Sequence, residues 1–351
     1  MYKKIIPIVV LFMSAAVHSQ AQIDTTATIV VEQNQEAELE YNKGVTALSQ
    51  KKYANAAQFF QNALAFKPSF TQAYVNLGVA RSAAGSYADA IRAFDSALAL
   101  DSTLGQVWSA RGIALFQLEN YGGALQSFLA AINAGYQSED TFYYMGASAF
   151  LVEEYEQAID AYSKALKINA NNANAYSDRA SSYKMTGKFD DAESDYRRAI
   201  ALNPAFYVAW DNLGSLQVKK KNYDAAIGSF NRAIDIKPDY HIALNNRGEA
   251  YFLQNDFKSA ERDLRKALAI NPQYTFAYNN MGVMLAMQNK HTEAISMYDQ
   301  AIKLDPNYGA AYFHRANSLE LLQEFDRSCD DLRKARSVGF AVPDSFLSGC
   351  N

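Results

Sequence analysis

A chain of 351 residues that is 49% hydrophobic and 20% charged has a globular composition, which excludes intrinsic disorder as its working state. Its net charge of −4 comes without a lysine- or arginine-rich run, so there is no electrostatic footprint for nucleic acid. Scarce proline and long alanine-spaced stretches point to helix.

The N-terminal segment MYKKIIPIVVLFMSAAVHSQAQ reads as a targeting element. Lys3 and Lys4 precede an apolar stretch of 13 residues, Ile5 to Val17, and Ser19 and Ala21 follow at the spacing of a signal-peptidase site. That stretch, with Pro7 inside it, is short for a bilayer span. Residues 1–21 are therefore expected to be a cleaved export signal, with an uncleaved anchor as the alternative. Cleavage takes Lys3 and Lys4 and leaves a net charge of −6. No second long apolar run occurs, so no stable transmembrane segment is expected after cleavage. Residues 22–36 form a lead-in segment.

From Ala37 to residue 342 the chain repeats itself every 34 residues, nine times, without insertion or deletion. Counting Ala37 as position 1, position 8 is Gly44, Gly78, Gly112, Gly146, Ala180, Gly214, Gly248, Gly282 and Ala316. Position 27 is alanine in all nine units, and position 24 is always large and apolar, from Phe60 to Leu332. Pro68, Pro204, Pro238, Pro272 and Pro306 share position 32. Positions 4, 7, 8 and 11 recur at helical spacing, a turn follows, and positions 20, 24 and 27 share a face of a second helix. Small residues at 8, 20 and 27 let the two helices approach, and proline stops the second one. One such hairpin cannot bury its apolar side alone, so neighbours must stack.

This pattern resembles the tetratricopeptide repeat family over residues 37–342. The resemblance implies an all-α, right-handed α-solenoid (superhelix) of nine helix-turn-helix units, with first helices lining a concave groove. It also implies a protein or peptide partner. The family's carboxylate clamp needs lysine at position 5, and no unit has it.

Position 7 alternates between basic and apolar: Lys43, Leu77, Arg111, Met145, Arg179, Leu213, Arg247, Met281, Arg315. Position 23 supplies Asp195, Asp263 and Asp331 to the last three arginine-bearing units. A desolvated arginine at a helix seam needs an acid, so the expected pairs are Arg179–Asp195, Arg247–Asp263 and Arg315–Asp331. The alternative is an arginine row for an anionic ligand.

Positions 2, 5, 6, 9, 12 and 13 are left for the groove. Position 6 includes Asn42, Asn76, Asn212, Asn246 and Asn280, the last three in consecutive units. An amide both donates and accepts, so such a ladder suits a peptide backbone. It resembles the asparagine ladder in the repeat region of the O-linked N-acetylglucosamine transferases; the alternative is that these residues are idle. Asp211, Asn245, Asn279 and Glu249 give the middle of the groove a polar lining. Tyr41, Val45, Val79, Ile113, Phe116 and Tyr143 give the first units an apolar one, suited to a partner helix or to the chain's own Ile23–Glu36.

Residues 343–351 are a short cap tail. Cys329 and Cys350 are the only cysteines, and in an exported chain they are expected to form one disulfide that pins this tail. No nucleophile motif, phosphate loop or metal spacing is present, so no cofactor, no metal and no catalysis are expected. The expected protein is a non-catalytic interaction scaffold, periplasmic or secreted, in a Gram-negative envelope. It would bind a peptide or helix in the groove, peripheral to an envelope complex. The alternative is a structural spacer acting through its ends and convex face, and an enzyme is more remote.

Overall fold

The computed structural model describes residues 35–350. The expected signal, residues 1–21, lies outside the described residues, as does all of the lead-in except Gln35 and Glu36. Whether Ile23 to Asn34 cover the apolar lining therefore falls outside them too.

The described residues form two compact units, 35–202 and 203–350. The first contains α1 (Gln35–Ser49), α2 (Tyr53–Phe66), α3 (Thr71–Ala83), α4 (Tyr87–Leu100) and α5 (Gly105–Gln117). It continues with α6 (Tyr121–Asn133), α7 (Glu139–Leu151), α8 (Tyr155–Ile168), α9 (Ala173–Met185) and α10 (Phe189–Leu202). The second holds α11 (Tyr207–Lys219), α12 (Tyr223–Ile236), α13 (His241–Leu253), α14 (Phe257–Ile270) and α15 (Thr275–Met287). It ends with α16 (His291–Leu304), α17 (Gly309–Leu321), α18 (Phe325–Ser337) and α19 (Asp344–Leu347). All regular structure among the described residues is helical, and consecutive helices pair as hairpins that stack on their neighbours within each unit.

Each hairpin is made by the residues that recur. The turn places position 15 in the left-handed region in every unit, at Lys51, Gly85, Glu119, Glu153, Gly187, Lys221, Asn255, Asn289 and Gln323. The next amide then returns to the carbonyl of position 11, as Asn222 N–H does to Gln217 at 2.8 Å, which closes the end of the first helix. Only two of the nine turns use glycine there.

Between the paired helices the position-24 ring presses on the position-8 glycine. A Cβ on Gly282 would lie 2.4 Å from Tyr298 Cε1, and one on Gly214 2.6 Å from Phe230 Cε1, so the glycines are there for close approach. Phe60, Phe94, Phe128, Tyr162, Tyr196, Phe230 and Leu264 are fully buried as a result. Burying each such side chain contributes roughly 1.5–3 kcal/mol. The second helix ends where the position-31 amide returns to the position-27 alanine, as in Lys237 to Ala233 at 2.9 Å.

Candidate functional site

The seams between hairpins carry the charged side chains. Arg179 binds Asp195 with Nε at 2.7 Å and Nη2 at 2.9 Å, Arg247 binds Asp263 at 2.5 and 2.9 Å, and Arg315 binds Asp331 at 2.7 and 2.6 Å. The remaining Nη1 reaches back to the second helix of the preceding hairpin: Ser163 for Arg179, Asn231 for Arg247 and Asp299 for Arg315. Each arginine therefore ties two successive second helices to one first helix, and burial of its acid is offset by a bidentate partner. The sequence analysis misses these position-25 partners, although acceptors stand there in the even units as a signal: Asp95, Ser163, Asn231 and Asp299. Arg111 uses Asp95 and Ser127 in the same way.

On the first-helix face of residues 203–350, the amides form a continuous relay. His314 Nδ1 lies 2.9 Å from Asn279 Oδ1, and Asn279 Nδ2 lies 3.5 Å from Asn280 Oδ1. Asn280 donates to Asn245 at 3.1 Å, Asn245 to Asn246 at 3.1 Å, and Asn246 to Asp211 at 3.1 Å. The ladder expected within position 6 is thus staggered: position 6 of one unit bonds position 5 of the unit before, 35 residues back. Asp211, Asn245 and Asn279 are buried beneath the face rather than open on it, and Asn212 is buried as well. Burial holds His314 neutral, its pKa pushed down to about 4.

Glu249, one turn beyond Asn246, makes no hydrogen bond or ion pair among the described residues, and burial pushes its carboxyl up. Tyr274 and Tyr308 feel its charge and Tyr240 that of Asp211; these three tyrosines are the N-cap residues of α15, α17 and α13. Burial raises all three hydroxyls; the Glu249 charge adds to this at Tyr274 and Tyr308, and the Asp211 charge at Tyr240 and Tyr274. Their rings pack edge-on along the row, Tyr207 on Tyr240 at 4.9 Å and Phe276 on Tyr308 at 5.3 Å.

The same 35-residue stagger recurs in residues 35–202. Asn76 donates to the Tyr41 hydroxyl at 2.8 Å, and the Tyr143 hydroxyl donates to Asp178 at 2.8 Å. Asp178 is pushed up to about 7 by burial, although the Tyr143 bond opposes the shift. The expected apolar lining is partly consumed by its own packing. Phe116 is buried against Tyr121 and Tyr144, and Tyr41 stacks on Phe60 and Phe70. Val45, Val79 and Ile113 keep part of their surface, while Asn42 is exposed.

At the C-terminal end Cys329 and Cys350 are bonded, with Cα atoms 5.3 Å apart. The tail they hold lays Phe340 and Phe346 on Phe313, each at 5.3 Å, and Arg336 binds the Val342 carbonyl and Asp344. Among the described residues no three His, Cys, Asp or Glu side chains are placed to hold a metal ion, and no helix is long and apolar enough to cross a membrane.

Profiles of the tetratricopeptide repeat match residues 47–112, 153–187, 177–241, 241–274 and 275–308, together more than half of the chain. The chain belongs to the tetratricopeptide repeat family. No curated protein matches it. Among solved structures, YrrB, described as a TPR protein with an unusual peptide-binding site, is 26% identical with a TM-score of 0.50. That likeness covers 54% of this chain and 97% of YrrB. MamA is 25% identical over 46% of this chain and 95% of its own, with a TM-score of 0.45. Tetratricopeptide arrays bind protein or peptide partners, and the first-helix face described above is where this array keeps unspent polar groups.

Proposed function

We propose that this chain is a non-catalytic scaffold of the cell envelope that holds a segment of another protein against α11, α13, α15 and α17. The observation that carries this reading is the relay from His314 to Asp211. Each asparagine amide has two N–H donors and two acceptor positions, and in the relay Asn246 and Asn280 use about half of theirs. The remainder is held in fixed orientation on the partly open side chains of both residues. An extended peptide presents alternating N–H and C=O groups that such amides match. YrrB, 26% identical, carries a peptide-binding site, which supports the same use of the array here. Export is supported by the leader pattern of residues 1–21 and by the Cys329–Cys350 bond, which suits an oxidising compartment.

A second reading, a spacer acting through the second helices, is favoured by their exposed apolar side chains. Phe66, Leu100 and Ile168 recur on α2, α4 and α8, and Ile236, Ile270 and Leu304 on α12, α14 and α16. A photoreactive residue at position 242 or 270 separates the two. Ile242 lies one turn before Asn246 on the same face, whereas Ile270 is exposed at the end of α14. Cross-linking to an envelope protein from 242 and not from 270 is expected. The reverse pattern would overturn first-helix binding, and an unprocessed N-terminus with free thiols would overturn export.

A further inference from the structure

The first-helix face of residues 203–350 has an uneven charge. Over the groove positions of α11, α13, α15 and α17, Asp211, Glu249 and Glu320 contribute three carboxylates against one lysine, Lys219 at the far end of α11. Two cations close to Glu249 in sequence are committed elsewhere. Arg247 turns to Asp263 and Asn231, and Lys237 lies over the Tyr207 ring at 5.0 Å. Glu249 itself has neither donor nor cation among the described residues. The other units show that the fold does not ask for an acid there: Ser215 precedes it and Val283 follows it at the same position.

The surroundings match one kind of ligand. The Tyr274 and Tyr308 hydroxyls make no hydrogen bond among the described residues, and neither is sealed from solvent, so each keeps a free acceptor within electrostatic reach of the carboxylate. A half-buried carboxylate without a partner, near tyrosine side chains, suits a side chain with an apolar stem and a cationic head. A metal ion would need more carboxylate or imidazole ligands than this place has.

We propose that Glu249, near Tyr274 and Tyr308 on the first-helix face, receives one lysine or arginine side chain of the bound protein segment, a reading that rests on first-helix binding. The cation supplies the counter-charge that the half-buried carboxylate lacks, and its methylene stem lies along the first-helix face. Specificity then divides along the face: the asparagine relay holds backbone and Glu249 selects a basic residue.

The test uses the full chain with isotope-labelled asparagine, titrated with an acetylated, amidated alanine pentapeptide carrying a central lysine. Its control is the same peptide with norleucine, and the readout is the Asn246 and Asn280 side-chain amide signals. Binding of the lysine peptide is expected to be roughly 10- to 100-fold tighter than that of the norleucine peptide, the range for a hydrogen bond to a charged group. The preference should shrink as salt is raised. Glu249→Gln should remove it, and so should Glu249→Ser, which copies the neighbouring unit. Equal binding of both peptides, or a preference that survives both substitutions, overturns the cation site. If both peptides bind equally and still compete with cross-linking from position 242, first-helix binding survives. If neither binds and cross-linking from position 242 is also absent, both readings fall.

Discussion

The arginine staples can be tested against a control that the chain itself contains. Arg247 gives Asp263 two N–H bonds, at 2.5 and 2.9 Å, and Asp263 is 1% exposed. Replacing Arg247 by methionine takes both N–H bonds from that buried carboxylate and leaves it only the exposed Arg262 at 3.5 Å, which should cost about 3 kcal/mol. The next hairpin fills the equivalent places with Met281 and Met297, which pack against the same core. The double variant Arg247→Met/Asp263→Met therefore installs a pair the fold already accommodates. It loses the Arg247–Asn231 bond, the Arg247 contact over the Tyr251 ring and the looser pair that the exposed Arg262 makes with Asp263, so it should lie within about 2 kcal/mol of the parent. In a repeat array the effect is confined to nearest neighbours. Hydrogen exchange of α12, α13 and α14 is thus a sharper measure than a global melting temperature. The single variant should speed exchange in those helices by roughly 100-fold or more, and the double should restore it. A double variant as unprotected as the single one would refute the claim that the penalty is the orphaned carboxylate.

Three further outcomes follow from particular residues. Glu153 holds a φ of 65° in its turn, so Glu153→Gly should stabilise the first unit by about 1 kcal/mol in urea titration, net of glycine's flexibility in the unfolded chain. Asp178, pushed up to about 7 by burial, holds a proton in the fold that the unfolded chain releases above about pH 4, so its penalty grows as pH rises through that window. Asp178→Asn keeps an acceptor for Tyr143; it should match the parent near pH 4 and gain up to about 4 kcal/mol at pH 8, read by thermal melts across pH. His314, lowered to about 4, stabilises the fold fully above the unfolded value near 6.5 and loses that contribution as pH falls toward 4. The loss is about 3 kcal/mol, and His314→Gln should flatten the stability profile between those two values.

The repeat architecture was legible because its causes are local and periodic. Glycine at position 8 with an aromatic at 24, alanine at 27 and proline at 32 each describe a contact inside one hairpin, and nine copies leave one consistent reading. Opposite charge at a fixed interval within one unit was equally readable, which is why the sequence alone matches Arg247 to Asp263. The left-handed turn residue was harder to see. Its conformation is common to all nine units, yet Lys51, Glu119, Lys221 and Gln323 carry no chemical mark of it. The helix-closing hydrogen bonds around the turn impose that conformation.

What the period hid is the diagonal between units. A repeat compared with itself suggests that like positions stack on like, and so Asn212, Asn246 and Asn280 looked like rungs of one ladder. In the structure a first helix sets its position 6 against position 5 of the helix before it, as Asn280 on Asn245, Asn246 on Asp211, Asn76 on Tyr41, and Asp178 against Tyr143. The arginines follow the same logic, reaching 16 residues forward within their own hairpin and 16 back into the previous one. Polar side chains on these diagonals find partners that the fold supplies. Glu249 lies off both diagonals, at a position filled by serine and valine in the units beside it. A half-buried carboxylate there stabilises nothing that the described residues contain, and its desolvation is most simply offset by a group that arrives with a partner.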